Sequence, residues 1–316
     1  RAVVGAALHI VEGLGNDVRE GGVHQQHNQP GEHAEHDLAL MVHSGNLGDK
    51  YDFSCGQGNN GCMAKVITYK GKSSHAGGAP HEGINAQYAA MLGLQACNDL
   101  RETLQEKDTI RFHPIMKGVN CAVNIIPDEM VIESYVRGSN IEAMKRENKK
   151  FNRALAGASA AIGCELHIDD KPGYSPEIHD VAYMQLVEEV CKDLAGADRV
   201  NFEYDSWSTG SSDFGDLTCV MPGIQFTSAG ASGTAHGINY YLTDPERLLI
   251  NSIKAQLLVA DKLLKDDAAK AKEIVANYKA PYASIPEYLN AIGDFILDRD
   301  VVEYEENGNV KLNLAK

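Results

Sequence analysis

Two histidines and an aspartate, of the side-chain types that bind or surround divalent metals, stand in stretches of small residues. His43 ends the apolar run ALMV and is followed by Ser-Gly-Asn, Asp213 lies in GSSDFGD, and His236 lies in GTAHGINYY. Small residues let a backbone and a ligand approach each other closely. Taken singly, each residue is equally typical of an ordinary turn or of a histidine in a core or on a surface. Their joint occurrence favours a metal or catalytic site.

The elements that must position these residues follow from hydrophobic periodicity. A helix-then-strand segment ends at His43, and after residue 172 helices again alternate with strands up to a long helix that begins at TDPERLL. Such alternation predicts an α/β domain with a mostly parallel sheet, whose ligands bind beyond the carboxyl ends of the strands. His43 lies at such an end.

A second unit interrupts this pattern. From residue 63 to residue 172 the predicted order is β-α-β-β-α-β, which is the ferredoxin-like, split βαβ plan. Its first helix should turn the face with Tyr88 and Leu92 inward. Its second helix should begin with a capping box of Ser139 and Glu142 and stop at Gly163. We therefore predict the domains 1–62, 63–172 and 173–292, followed by a tail, 293–316, with a hairpin at Asn307-Gly308.

Composition narrows the class of protein. Of 316 residues 43% are hydrophobic, and the formal net charge is −15 with no basic stripe, so a nucleic-acid partner is not expected. No apolar run is long enough to cross a bilayer and no signal peptide opens the chain, so no membrane partner is expected. The seven cysteines include no CxxC pair, which predicts reduced thiols and a cytoplasmic location.

Several motifs together resemble one known family. They are GKSSHAGGAP at 71–80, NCAVNIIPD at 120–128, SYVRG at 134–138, GSSDFGD at 210–216 and GTAHGINYYLTDPE at 233–246. In combination they are similar to the aminoacylase and carboxypeptidase family of co-catalytic zinc hydrolases, peptidase family M-twenty (M20). The nearest branch is the amidohydrolases that include aminobenzoyl-glutamate hydrolases and related dipeptidases. The resemblance extends from the start of the chain to about residue 290.

The resemblance implies a fold and a role for each of these residues. The fold is a zinc-exopeptidase-like α/β catalytic domain with an inserted lid and dimerisation domain. His43 and His236 resemble metal ligands, and His75 resembles the lid histidine that stabilises an oxyanion. Asn124 and Arg137 resemble lid groups that bind the carboxylate of the substrate, a task for which the planar fork of arginine is suited. Asp213 resembles a substrate-binding residue in the Gly-Ser-x-Asp-Phe loop of the family.

The same resemblance implies the chemistry. Two divalent ions, zinc in the first place with manganese or cobalt as alternatives, would activate a water that attacks an amide carbonyl. The substrate would be an N-acyl amino acid, an aminobenzoyl-glutamate-like compound or a dipeptide. The protein is expected to be a homodimer.

Two family motifs are missing from the sequence. The first metal motif is absent, and we expect about a hundred residues before Arg1 in a complete protein, from the usual size of such a domain. The Pro-x-Glu-Glu motif has only a partial counterpart in QPGEH, in which Glu32 would be the general base and His33 would replace the second glutamate. Two hypotheses therefore stay open. One is a dinuclear metallo-amidohydrolase, and the other is a non-catalytic homologue or fragment that keeps the lid as a dimerisation or binding module.

Overall fold

A computed structural model gives the structure of residues 36–118 and 121–314. The predicted base Glu32 and its neighbour His33 lie outside these residues. The strands, in chain order, are β1 Ala39–Gly45, β2 Phe53–Asn59, β3 Gly61–Lys70, β4 Arg111–Phe112, β5 Ile115–Gly118, β6 Glu129–Gly138, β7 Glu165–Tyr174, β8 Glu177–Ile178, β9 Val200–Ser208, β10 Gly223–Ala229, β11 Ala231–Ser232, β12 Tyr241–Leu242, β13 Leu297–Tyr304 and β14 Val310–Leu312.

The described residues contain fewer α-helices than strands. They are α1 Ala86–Asp99, α2 Ile141–Ile162, α3 Val181–Ala195, α4 Phe214–Thr218, α5 Asn251–Asn277 and α6 Ile285–Gly293. A π-helical turn, Glu246–Ile250, leads into α5, and the helix is interrupted by non-helical residues at Lys265 to Ala268. Within the described ranges, no helix combines the length and the apolar character needed to cross a membrane.

The chain divides into two compact units. The first contains residues up to Gly58 together with Glu177–Trp207 and Asp216–Ile285, and the second contains Asn59–Pro176, Ser208–Gly215 and Pro286–Lys316. The α/β class with an inserted ferredoxin-like unit is confirmed. The domain boundaries read from the sequence stay a prediction.

The first unit is built on a five-stranded sheet in the order β1-β10-β2-β8, with β9 also paired to β2. β10 runs parallel to β1 and antiparallel to β2, so the sheet is mixed. Helices α3 and α5 contribute to one core with the strands, in which the rings of Phe53 and Phe226 lie 5.9 Å apart. Burial of such large apolar side chains is the main stabilising contribution to this unit.

The second unit has the strand order β14-β13-β7-β3-β6-β4, with β5 also paired to β6. Strands β7, β3, β6 and β4 or β5 reproduce the order expected of the βαββαβ plan, and β13 extends the sheet beside β7. The predicted tail hairpin is confirmed, since β13 pairs antiparallel with β14 and Gly308 has a positive φ of 82°. The strand that follows the first helix of the βαββαβ plan is divided into β4 and β5 around His113 and Pro114.

Two local predictions for this unit were wrong. The buried face of α1 consists of small residues, whereas Tyr88 and Leu92 are exposed. Small residues are required on this face, because a Cβ at Gly93 would lie 2.2 Å from the hydroxyl of Tyr69 on β3. In α2 the cap is Asn140, whose side chain accepts the backbone N–H of Ala143, and not Ser139. The predicted stop at Gly163, with a φ of 90°, is confirmed.

Candidate functional site

His43 is the first of the predicted metal ligands. It lies on β1 opposite Thr227 of β10, with an exposed side chain. Its Nδ1 lies 2.7 Å from the carbonyl oxygen of Ser44, and because a carbonyl only accepts, Nδ1 must carry the proton. The neutral ring then presents the lone pair of Nε2, which is how metal-binding histidines are commonly oriented.

His236 lies in a closed loop between β11 and β12. The loop ends approach so closely at Gly233 that a Cβ there would be 1.9 Å from the carbonyl oxygen of Asn239. Inside it, the N–H of Gly237 donates to the carbonyl of Thr234 at 2.8 Å. His236 itself has a φ of 62°, in the left-handed region that non-glycine residues seldom occupy. Such backbone conformations cost about 1–3 kcal/mol and cluster at functional sites.

Two hydrogen bonds hold this loop against the segment that follows His43. The side-chain amide of Asn46 donates to the carbonyl of Gly233 at 3.0 Å, and the hydroxyl of Tyr240 donates to the carbonyl of Ser44 at 3.3 Å. Both ends of the His236 loop are therefore fixed to residues one and three positions beyond His43. The structure brings the chain segments of the two predicted ligands together, although their coordination of a metal stays a prediction.

Sequence reasoning did not identify the ion-pair cluster that supports these loops. Asp52 accepts hydrogen bonds from Arg199 at 2.7 and 3.0 Å and from Arg247 at 2.6 Å. Arg247 also donates to the carbonyls of Gly48 and Tyr51. Burial alone would raise the pKa of Asp52, but the hydrogen bonds and charges of the two arginines outweigh burial and lower it. The only signal in the sequence was an arginine in the first turn of the last long helix.

The described residues do not form a metal site by themselves. Two imidazoles have suitable donor chemistry for zinc, but zinc sites in proteins use three or four protein ligands. Between residues 36 and 314, leaving out 119 and 120, no group of three or more His, Cys, Asp and Glu side chains is arranged to hold a metal. The residues present therefore fit as two ligands of a larger set.

In the second unit, His75 and Asn124 lie on two paired turns. His75 forms a bridge with Ile125, and the N–H of Ala76 donates to the carbonyl of Asn124 at 2.9 Å. The Nδ1 of His75 accepts the backbone N–H groups of Gly77 and Gly78, at 3.2 and 2.9 Å. Since Nδ1 accepts, the proton of the neutral ring is on Nε2. His75 thus presents an exposed N–H donor of the kind that stabilises a developing oxyanion.

Arg137 and Asp213 also belong to the second unit. Arg137 lies on β6 with its guanidinium 5.5 Å from the ring centre of Tyr135, and its Nη1 is 3.5 Å from the carbonyl of Thr209. Its Nε is buried and has no hydrogen-bond partner among the described residues. Asp213 is exposed just before α4 and forms no ion pair with Arg137. The roles of both in substrate binding stay predictions.

One buried cluster in the first unit had no counterpart in the sequence analysis. His179 contacts the carboxylate of Glu177 through Nε2, and its Nδ1 lies 2.7 Å from the carbonyl of Gly56 and 3.5 Å from the thiol of Cys55. Burial alone would lower the pKa of His179, but its contacts with Cys55 and Glu177 raise it to about 10. Burial raises the pKa of the Cys55 thiol, so this cysteine is a poor nucleophile. The cluster is a structural one that joins β8 to β2.

The sequence matches one family model and several proteins of known function. The family model described as "Peptidase dimerisation domain" matches residues 57–162. The Xaa-Arg dipeptidase of Mus musculus is 31% identical over 166 residues, which are 50% of this chain and 37% of that protein. A p-aminobenzoyl-glutamate hydrolase homolog of Haemophilus influenzae is 28% identical over 146 residues, 44% of this chain and 32% of that protein. The matched segments thus span less than half the length of these curated relatives.

A solved structure shows the same fold over a longer stretch. It is a dinuclear metal binding peptidase of the M20 family from Bacillus subtilis, with a TM-score of 0.51 and 18% sequence identity. The likeness covers 72% of this chain and 58% of that one. The dimerisation-domain match, the two curated relatives and this shared fold agree with the motifs read from the sequence. These likenesses support the resemblance to the M20 family of peptidases and amidohydrolases, and residues 57–162 match the dimerisation domain of such peptidases.

Proposed function

We propose that this chain carries the substrate-binding lid and two metal ligands of a metal-dependent amidohydrolase or peptidase. The substrate class is an N-acyl amino acid, an aminobenzoyl-glutamate-like compound or a dipeptide, and the bond cleaved is an amide. The names of the relatives, a dipeptidase and a hydrolase of aminobenzoyl-glutamate type, support this class. Bound divalent ions, zinc in the first place with manganese or cobalt as alternatives, would supply an activated water.

The observation that carries the proposal is the orientation of His75. Its Nδ1 is fixed as an acceptor by two consecutive glycine N–H groups, so its Nε2–H is available to a substrate carbonyl oxygen. A purely structural turn does not require an exposed imidazole held in one tautomer. The backbone carbonyl of Asn124 accepts the N–H of Ala76, the residue after His75. The side-chain amide of Asn124 makes no bond to a described residue, so it is available to bind substrate.

Arg137 would bind the free carboxylate of the substrate. Its Nε and Nη groups suit bidentate recognition of a carboxylate, and Nε has no hydrogen-bond partner among residues 36–118 and 121–314 that a substrate would have to displace. We expect Arg137→Ala to raise KM for acyl-amino acids far more than for esters that lack the free carboxylate. Equal losses on both substrate types would contradict this role.

The decisive experiment is an amide-hydrolysis assay with zinc, manganese and cobalt. It is best done on the 316-residue chain and on the product of its complete open reading frame. His75→Ala should lower kcat about 10²- to 10³-fold, the usual loss when one oxyanion donor is removed, with a smaller change in KM. His81→Ala is the matched control, because His81 is an exposed histidine of the same segment. If no amide is hydrolysed with any metal, the proposal is wrong.

An alternative function is a non-catalytic homologue that keeps the lid as a dimerisation or binding module. The observation in its favour is that residues 36–118 and 121–314 contain no complete set of metal ligands. A protein of this kind would dimerise normally and would bind neither zinc, manganese nor cobalt, even when made from the complete open reading frame. Metal analysis on that protein separates the two functions.

We also propose a homodimer formed through the second unit. The sheet has two edges, one formed by β14 and the other by β4 and β5, and on β5 Ile115 and Met116 are exposed. An exposed edge strand with apolar side chains is a template for pairing with another chain. The matched dimerisation-domain model supports a second copy of this chain as the occupant.

A cytoplasmic location belongs to the same proposal. None of the seven cysteines forms a disulfide bond, and six of them are buried. Reduced, buried thiols are typical of proteins in a reducing compartment. Fractionation of cells that express the tagged complete protein would test this location.

A further inference from the structure

Helix α5 is apolar on two sides, and only one of these sides is covered by the described residues. Toward the strands, Ala255, Val259 and Leu263 are buried in the core of the first unit. On nearly the opposite side of the helix, a second row of apolar side chains is exposed. We call this row the outer face of α5, and it consists of Ile250, directly before α5, and of Ile253, Leu257 and Leu264.

The outer face has the spacing and the exposure of a contact surface. Its members are three, four and seven positions apart, which places all four on one stripe along the helix. In chain order their exposed fractions are 46, 46, 57 and 41%. Single apolar side chains on a surface are ordinary, but a contiguous row of large ones marks a place where another segment packs. The outer face therefore requires an occupant.

The place of β1 in the first unit indicates which part of the chain can reach the outer face. α5 packs beside β1, and among the described strands β1 pairs only with β10, so it forms an edge of the sheet. Residues 1–35 are joined to the unit at this edge, because β1 begins at Ala39. The twenty residues 16–35 can span up to about 70 Å, whereas the outer face is roughly 20 Å long. The first fifteen residues can therefore reach any point of it.

The sequence of residues 1–15, which we call the N-terminal segment, has a matching apolar pattern. The segment precedes the described residues and reads RAVVGAALHIVEGLG. Four of its apolar residues follow helical spacing, namely Val4, Leu8, Val11 and Leu14. His9 and Glu12 fall outside that stripe, and Glu12 is the only charged residue between positions 2 and 15. An apolar stripe of this kind is stable in water only when it packs on another apolar surface.

We propose that the N-terminal segment packs on the outer face of α5 through its apolar stripe. The alternative occupant is a second copy of this chain, but the matched dimerisation-domain model covers residues 57–162, which do not include α5. The contact is therefore intramolecular. It covers the helix that packs beside β1, the strand that carries His43. The N-terminal segment thus supports the first unit and has no part in binding substrate.

The test is a photo-crosslinking experiment on the 316-residue chain. The photoreactive residue p-benzoyl-phenylalanine replaces Leu257, at the centre of the outer face, and irradiation is followed by digestion and mass spectrometry. The crosslinked peptide should come from residues 1–15 of the same chain. The same residue in place of Gln185 is the control, because Gln185 is exposed on the neighbouring helix α3. Crosslinks between two chains, or none to residues 1–15, would overturn the inference.

Hydrogen exchange tests the same contact from both sides. Leu257→Lys places a charge on the outer face and should speed amide exchange in residues 4–14 about 10-fold or more, the factor expected when one leucine is no longer buried. Leu8→Lys should do the same and should also lower the yield of the crosslink from position 257. Gln185→Lys should change neither the exchange nor the yield. Unchanged exchange in Leu257→Lys, or an equal effect of Gln185→Lys, would contradict the proposed packing.

Discussion

Arg247 and Asp52 form an ion pair between the first turn of the last long helix and the loop that follows His43. Its Nε donates to Asp52 Oδ1 at 2.6 Å, and its Nη2 donates to the carbonyls of Gly48 and Tyr51 at 3.1 and 2.7 Å. Arg247 begins the last long helix, whereas Asp52 ends the loop that follows His43. A single guanidinium therefore fixes the position of that loop relative to the helix.

We expect Asp52→Asn to destabilise the protein by about 1–3 kcal/mol at pH 7, the cost of leaving charged hydrogen-bond partners unsatisfied. Because the folded-state pKa of Asp52 lies below 3.8, its contribution is present above that pH and is lost as pH falls through the folded pKa. Thermal unfolding at pH 7 and at pH 3 should show the difference between wild type and variant shrinking in acid. Asp261→Asn, at an exposed position on α5, should leave the unfolding temperature unchanged at both pH values. A difference that stays constant with pH would contradict the assigned ion pair.

The cluster of His179, Glu177 and Cys55 should make stability depend on pH in the direction opposite to that of the Asp52 ion pair. Burial opposes the charged ring of His179, but Cys55 and Glu177 outweigh burial and raise its folded-state pKa from 6.5 to about 10. Its contribution to stability is therefore complete below pH 6.5 and is lost as pH rises through about 10. His179→Gln should cost about 3 kcal/mol at pH 6, since it replaces the charged ring that contacts the buried carboxylate of Glu177 with a neutral amide. Urea unfolding at pH 6 and pH 10.5 measures this, and an equal loss at both pH values would show that only packing had changed.

The order of elements in the second unit could be predicted from the sequence, because each strand and helix there has its own period and its own boundary signals. The buried face of α1 could not. Large apolar residues at Tyr88 and Leu92 suggested the core side, but the sheet approaches α1 so closely that only small residues such as Gly93 fit. Close packing of a helix on a sheet selects against size, and periodicity alone does not contain that information.

The same limit applies to the candidate site. His43, His75 and His236 stood out because their local motifs are distinctive. Asp52 and Arg247 did not, because they are 195 positions apart and an arginine in the first turn of a helix does not indicate which residue it contacts. Groups that orient a site from a distance in sequence become visible only when the tertiary contacts are known.

The open edge of the second unit leads to a prediction about assembly. Met116→Lys on β5 should shift the protein from dimer to monomer, because a charge on a pairing edge opposes strand addition. Val310→Lys on β14 is the matched control, since it places the same charge on the opposite edge of the sheet. Light scattering at micromolar concentration distinguishes the two states. A folded wild-type protein that is monomeric, or an equal effect of both substitutions, would contradict the proposed interface.

The last prediction concerns metal binding by His43 and His236. An ion held by two imidazoles binds weakly, because stable zinc sites have three or four protein ligands. We therefore expect the 316-residue chain to contain less than one metal per chain, and the product of its complete open reading frame to contain about two, as in dinuclear hydrolases. In the latter product, His43→Ala and His236→Ala should each lower the metal content, whereas His81→Ala should not.

His236→Gly provides the sharper test of why this residue stands where it does. With a φ of 62°, His236 is in a conformation that glycine adopts without strain. If the histidine is kept for metal binding, His236→Gly should remove metal and at the same time raise the stability of the metal-free protein by about 0.5–1 kcal/mol. If the imidazole instead supports the loop, the same substitution should lower the melting temperature of the metal-free protein. Calorimetry in the presence of a chelator, together with metal analysis of the loaded protein, separates these outcomes, and a destabilised variant that keeps its metal would refute the ligand assignment of His236.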